Sequence, residues 1–280
     1  MLTVVVTAYE CAATIEYVLD GIRWQKLPDN MPVRILVGYE NSADRTLEVL
    51  KEWEAKLPPE GSVSMQILMS PGQQIIHGRV TGRGNLFNVL KQVGETTFLA
   101  FCDCDDIWVD PNKIAKQIEV LKDQKVAAVY GQTAPPQRQF DGSKNLFWRG
   151  NRYCFSSLLT RGTCLQNSLT QHEELLQKIP VFDWMFAIAL QQQGKLVHLA
   201  DPMVAFGVQT DEEAGPVSSW HGDSVSAQKR YSAITAGQIA FSMTGVSSAS
   251  RVGAALLALR LYCGSKRFMR RAVRSSDPSR

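Results

Sequence analysis

The segment FLAFCDCDDIWVD, residues 98–110, sets four aspartates and two cysteines directly behind an apolar run. Side chains two apart on a strand share a face. Continued strand geometry therefore predicts Asp103 and Asp105 on one side, with Cys102, Cys104 and Asp106 on the other. Carboxylate oxygens are hard donors suited to Mg²⁺ or Mn²⁺, whereas zinc calls for more thiolate or imidazole than one Cys-x-Cys supplies. No second cysteine pair stands at zinc spacing. Buried cysteine commonly packs as a small hydrophobe, so the thiols read as core. A solvated turn before a helix, with Asp110 as N-cap and Pro111 at the first position, accounts for Asp110. It does not account for Asp103 and Asp105, which leave a buried strand.

A further carboxylate stands far along the chain. Asp183 opens VFDWMFAIAL, a segment otherwise apolar through Trp184, Phe186, Ile188 and Leu190. Its chemistry is that of an N-cap, of a general base taking a proton from an attacking hydroxyl, or of both. Burial beside Trp184 would raise its pKa toward working pH.

These groups need elements to hold them. LTVVVTAY is a β-branched run suited to a buried parallel strand, and AATIEYVLDGIRWQ follows with Ile15, Val18, Leu19 and Ile22 on one helical face. VRILVGYE, SADRTLEVLKEWEAKL, SMQILMS, GNLFNVLKQVG, TTFLAFCD, PNKIAKQIEVLKDQ and VAAVYGQ continue the alternation. Repeated strand–helix units predict an α/β fold with an open, mostly parallel, Rossmann-like sheet flanked by helices. Ligands of such sheets sit at the carboxyl ends of the strands. GQTAPPQRQFDGSKN breaks the pattern; beyond it come a strand-like YCFSSLLT, helices around LTQHEELLQKI and FDWMFAIALQQQG, and the strand KLVHLA. The organisation expected is an α/β half at 1–132, a second half of the same domain at 133–226, and a helical extension with a basic tail at 227–280.

Composition bounds the class. With 45% hydrophobic and 20% charged residues the 280-residue chain is an ordinary globular protein, and a net charge of +3 gives no argument for nucleic acid. Six cysteines without scaffold spacing fit reduced thiols in a cytoplasmic protein. The N-terminus lacks a signal-peptide pattern, and VGAALLALRLYCG, broken by Arg260, falls short of the ~20 apolar residues of a spanning helix. The tail carries Lys266, Arg267, Arg270, Arg271, Arg274 and Arg280 against Asp277. It is read either as a peripheral contact with the cytoplasmic face of an anionic membrane or as a packing helix with a free basic end.

FCDCDDIWVDPNKIAKQIEVL resembles the Asp-x-Asp segment of family 2 glycosyltransferases, and most resembles their rhamnosyltransferase-like branch. Other segments are similar to the same family in order: VVVTAYECAATIEYVLDGI, ILVGYENSADRTLEVL, GRGNLFNVLKQVGETTFLAF and FDWMFAIALQQQGKLVHLADPMVAF, together covering most of 1–206. The resemblance implies a GT-A fold and transfer of a sugar, with inversion, from a nucleotide-diphosphate donor to a saccharide or lipid-linked acceptor, in cell-surface polysaccharide or glycan synthesis. It implies a divalent cation, Mn²⁺ or Mg²⁺, held directly by Asp105, with Asp103 nearer the ribose and the water shell of the metal. Asp106 either orients these two or caps the turn. Asp183 takes the place of the catalytic base.

For the donor, the resemblance implies contacts from the backbone at Ala8 and Tyr9 and from Glu40, whose alternative role is that of a loop or capping carboxylate. Tyr39 and Glu40 replace the usual paired aspartates of that position, which bears on nucleotide identity. Asp44 braces the following helix. Arg83 and Asn85, in TGRGN ahead of a helix, are candidates for phosphate or sugar. His221 in SSWHGDSVS resembles a loop that closes over the diphosphate, with Ser224 where asparagine is usual. Arg149 and Arg152 are read as an exposed charged loop. Two rival functions share parts of this pattern: a nucleotidyltransferase, whose basic Gly-rich N-terminal signature VTAYECAATI lacks, and a glycosyltransferase-like binding protein without activity.

Overall fold

The structure is a computed structural model, and it describes residues 1–28, 31–70, 74–76, 79–81, 83–136, 153–179 and 181–208, with backbone alone at 74–76, 79–81 and 83–84. Strands are β1 (Leu2–Ala8), β2 (Val33–Tyr39), β3 (Val63–Met69), β4 (Gln74–Ile76), β5 (Arg79–Thr81), β6 (Phe98–Asp103), β7 (Ile107–Trp108), β8 (Val126–Ala134), β9 (Leu159–Arg161) and β10 (Lys195–Ala205). Helices are α1 (Ile15–Arg23), α2 (Thr46–Ala55), α3 (Arg83–Gln92), α4 (Lys113–Leu121), α5 (Gly162–Lys178) and α6 (Phe182–Gln193).

One eight-stranded sheet runs β3-β2-β1-β6-β9-β8-β10-β7, and β4-β5 form a separate antiparallel pair. The first four strands pair in parallel, as the β-branched runs predict. The sheet as a whole is mixed, so the mostly parallel, Rossmann-like expectation holds in part. Three-residue β9 lies antiparallel between β6 and β8, and β7 lies antiparallel to β10. The strand expected over YCFSSLLT is also corrected: a 3₁₀ turn at Phe155–Ser157 precedes β9. Serine hydroxyls compete for backbone groups, and Ser157 Oγ donates to the Cys154 carbonyl at 2.7 Å.

Strand parity splits the core into two layers. Val4, Val6, Ala8, Ile35, Val37, Tyr39, Ala100 and Cys102 face α1, α2 and α4. Val5, Leu36, Leu99 and Phe101 face α3, α5 and α6. α1 buries Ile15, Val18, Leu19 and Ile22, the expected stripe. α6 is buried from Trp184 through Leu190, so it is the central helix of the second layer. Gly38 is glycine for a local reason. A Cβ there would lie 2.7 Å from Asn85 Oδ1 and from Val89 Cγ2, so the bare backbone lets α3 approach β2. The sheet takes strands from both sides of residue 132, and the extension expected at 227–280 lies outside the described residues.

Candidate active site

β6 delivers Asp103 at its last position, and there the strand stops. Cys104 and Asp105 form a turn closed by the Asp106 N–H, which donates to the Asp103 carbonyl at 3.0 Å. The expected strand alternation therefore does not reach Asp105; a turn, not the pleat, sets its position. Thr14 Oγ1 donates to the Cys104 carbonyl at 2.7 Å and pins that turn to the base of α1. The thiols are core, as expected. Cys102 and Cys104 are buried and free. Contact with Cys11 and burial push the Cys104 thiol well up, and burial does the same to Cys102.

The carboxylates lie close enough to repel one another. Burial, then the charge of Asp105, raises Asp103 to about 7, against the opposing hydrogen bond from Thr7 Oγ1 at 2.8 Å. Burial raises Asp105 to about 6. Asp106 is pushed well above the carboxylate range by burial and then by Asp105 and Asp103. Lys113 lies behind the turn, fully buried, with Nζ 3.9 Å from the Trp108 ring centre and 3.0 Å from Gln117 Oε1. Burial lowers its amine to about 7.

Asp183 is the second residue of α6, inside the first turn rather than ahead of it; Val181 precedes the helix and makes no side-chain cap. A carboxylate in a first turn faces the positive end of the helix dipole. Although 80 residues separate them in sequence, the charge of Asp183 adds to the upward shift of Asp103. Tyr153 donates its hydroxyl hydrogen to the Asp183 carbonyl, and Trp184 beside it is 1% exposed.

Two loops meet at the ends of β1 and β2. The Glu40 N–H donates to the Ala8 carbonyl at 2.9 Å, extending the ladder one residue beyond Tyr39. Parity puts Tyr39 on the α1 layer and Glu40, 5% exposed, on the opposite face, where Asp103 also points. The Tyr39 hydroxyl accepts the Ser42 N–H at 3.0 Å. Tyr9 is 40% exposed at the rim. Asp44 braces α2 as expected, accepting Thr46 N–H at 3.1 Å and Thr46 Oγ1 at 2.6 Å. Asn85 is buried, its Nδ2 donating to the Gly38 carbonyl while Oδ1 has no partner among the described residues. The backbone of Arg83 begins α3; its side chain, together with Arg149, Arg152 and His221, lies outside the described residues. The expected cap is corrected: α4 begins at Lys113 with Asn112 as its N-cap, and Asp110 lies in the turn ahead of it, its Oδ1 accepting the Asn112 N–H at 2.9 Å.

Sequence reasoning missed three supports. Thr7, in register with Asp103, was legible as a hydroxyl within an apolar strand. Ser156 accepts the Asp103 N–H at 2.9 Å and hydrogen-bonds the Asp106 carboxylate. Tyr153 holds the start of α6. The last two belong to other chain segments and carry no local signal.

Among the described residues no group of three or more His, Cys, Asp or Glu side chains is arranged to hold a metal. The donor set nevertheless fits a divalent cation of the Mg²⁺ or Mn²⁺ kind, which takes one or two carboxylates and completes its shell with water and substrate phosphate. Asp103, partly buried, and Asp105, buried, are two such carboxylates; burial raises both, and the charge of Asp105 adds to the rise of Asp103.

Residues 1–148 match the protein family described as Glycosyltransferase like family 2. The uncharacterised protein Rv1520 of Mycobacterium tuberculosis is 24% identical over 217 residues; the match covers 73% of this chain and 58% of that protein, so the chain spans under two thirds of its length. Two solved structures share the fold. TarS 1–349 of S. aureus in complex with UDP-GlcNAc has TM-score 0.63 at 13% identity, covering 94% of this chain and 72% of that one. The mannosyltransferase PcManGT of Pyrobaculum calidifontis, in complex with GDP-Man and Mn²⁺, has TM-score 0.62 at 16% identity, covering 94% and 73%. The mixed, helix-flanked sheet of this chain fits that GT-A architecture.

Proposed function

The chain belongs to glycosyltransferase-like family 2, and from that premise we propose that it transfers a sugar, with inversion, from a nucleoside-diphosphate donor to an acceptor hydroxyl. The observation that carries the reading is that Asp183, 80 residues away in sequence, lies near enough to Asp103 for its charge to raise the Asp103 carboxyl. A base near cation-type carboxylates is what a displacement with an attacking hydroxyl on one side and a leaving diphosphate on the other requires.

A divalent cation, when bound, supplies the positive charge that stabilises the departing diphosphate. Asp105 would hold it directly, with Asp103 at its water shell and toward the ribose. Glu40 accepts a base N–H or ribose hydroxyl, and the backbone at Ala8 and Tyr9 lines the base. Asp183 takes the acceptor hydroxyl proton as the acceptor oxygen bonds the anomeric carbon. The bond to the diphosphate breaks with its electron pair, and inversion follows from attack opposite the leaving group. That PcManGT is in complex with GDP-Man and Mn²⁺, and TarS with UDP-GlcNAc, supports a nucleotide-sugar donor and a divalent cation here. The rhamnosyltransferase-like branch rests on FCDCDDIWVDP alone. A saccharide or lipid-linked acceptor in cell-surface glycan synthesis, on the cytoplasmic face, agrees with the basic residues at the C-terminus. No helix among the described residues is long and apolar enough to cross a membrane.

The test is a panel of UDP-, GDP-, dTDP- and ADP-sugars with Mn²⁺ or Mg²⁺, following donor hydrolysis and thermal shift. A cation-dependent response to at least one donor is expected, and silence across the panel rejects the reading.

A further inference from the structure

Four aspartates stand from the last residue of β6 to Asp110, and the reading above uses two of them, Asp103 and Asp105. Asp110 lies in the turn ahead of α4. Asp106 is left, and its surroundings differ in kind from those of its neighbours. It is 2% exposed. Its Oδ1 accepts the Gly207 N–H at 2.9 Å, Cys154 Sγ approaches its Oδ2 at 3.9 Å, and Ser156 hydrogen-bonds the same carboxylate. Because Ser156 Oγ accepts the Asp103 N–H at 2.9 Å, its single hydroxyl hydrogen is the one available for Asp106. The Asp106 carbonyl in turn receives Cys102 Sγ at 3.1 Å.

The partners of Asp106 come from three separate parts of the chain: the end of β6, the 3₁₀ turn at Phe155–Ser157, and the residues just after β10. The last contact is doubled, since the Val208 N–H donates to the Asp105 carbonyl at 2.7 Å. Gly207 sits at φ 62°, a left-handed conformation that glycine adopts without strain. A carboxylate offers about four lone-pair sites. Protein donors approach three of those on Asp106, whereas among the described residues burial of Asp105 is opposed by a hydrogen bond from its own backbone N–H.

We propose that Asp106 is not a ligand of the cation but a positioning residue, a latch that fastens the exit of β10 and the Ser156 turn to the acidic turn and so fixes where Asp103 and Asp105 point. The latch rests on the proposed function only in naming Asp103 and Asp105 as the cation carboxylates; the fastening itself stands on hydrogen bonds. An acidic residue serves here because its two oxygens can meet several donors at once.

Two readouts on the full chain test this. One is Mn²⁺ affinity by electron paramagnetic resonance, with UDP or GDP present. The other is hydrogen–deuterium exchange at the Gly207 and Val208 amides. Asp105→Asn is expected to weaken Mn²⁺ binding at least tenfold. Asp106→Asn, which keeps an acceptor oxygen for Gly207, is expected to leave Mn²⁺ affinity within about twofold of wild type. Asp106→Ala is expected to speed exchange at Gly207 and Val208 about tenfold, the effect of losing a hydrogen bond worth ~1.4 kcal/mol. Loss of Mn²⁺ in Asp106→Asn equal to that in Asp105→Asn overturns the proposal, and so does unchanged exchange in Asp106→Ala. Should Asp106→Ala fail to fold, the Asn variant still decides whether Asp106 is a ligand. Wild-type protein that binds no Mn²⁺ with either nucleotide rejects the functional reading, while the exchange arm still judges the latch.

Discussion

The loops that follow β1 and β2 and the turn that follows β6 meet at the same end of the sheet, yet they handle polar groups in opposite ways. Three successive amides of the first loop, Glu10, Cys11 and Ala12, are each met by a side chain of the second: Ser42 Oγ at 3.0 Å, Thr46 Oγ1 at 2.8 Å and Asp44 Oδ2 at 2.9 Å. Glu10 holds φ 45°, a left-handed conformation for a residue with a Cβ, within that frame. Asp44 accepts three donors in all. In the turn after β6, burial raises Asp103 to about 7 and Asp105 to about 6, the charge of Asp105 adding to the rise of Asp103. Polar groups at the first region stabilise the fold. Those at the second oppose it, an arrangement expected of a site that receives positive charge from a ligand.

The contrast can be broken most sharply at Asp183. Asp183→Asn is expected to keep donor binding, read by isothermal titration with nucleotide sugar, and to lower transfer by about 10²–10⁴. Equal loss of binding and transfer would make Asp183 a structural residue. A second test uses pH. For an acid whose folded pKa lies above its unfolded value, the folded state holds more protons, so stability is greatest below about 4 and is lost as pH rises through about 6 to 7. Melting temperature without metal is therefore expected to fall between pH 5 and pH 8 in roughly that window. Added Mn²⁺ with nucleotide, or Asp103→Asn, should flatten the fall, and a curve insensitive to both would remove the contrast. The smallest effect is expected in the first region. Asp44→Ala should cost about 1.5–3 kcal/mol in urea unfolding, the range for hydrogen bonds to a charged group, and leave the pH window unchanged.

Much of this was legible locally. The buried parallel strands, the stripe of α1 and the burial of the thiols follow from side-chain period and residue type, which act over a few positions. The acidic run marked its own importance because buried strands rarely end in consecutive carboxylates. Where strand alternation was carried through Asp105 it failed, since Thr14 of another segment pins the Cys104 turn. The strand drawn over YCFSSLLT failed for a related reason: Ser156 and Ser157 are spent on backbone and carboxylate partners.

By itself, then, the sequence determined which residues have the chemistry and which elements carry them, because propensity and periodicity are local. Only the tertiary structure decided that the charge of Asp183 reaches Asp103, that Tyr153 holds the Asp183 carbonyl, and that a short antiparallel β9 is inserted between parallel neighbours. It also decided that Glu40 rather than Tyr39 shares a face with Asp103, and that Asp106 turns to Gly207. Each of these depends on strand order or on a hydrogen bond across many residues of sequence, and no local pattern encodes which distant partner will be there.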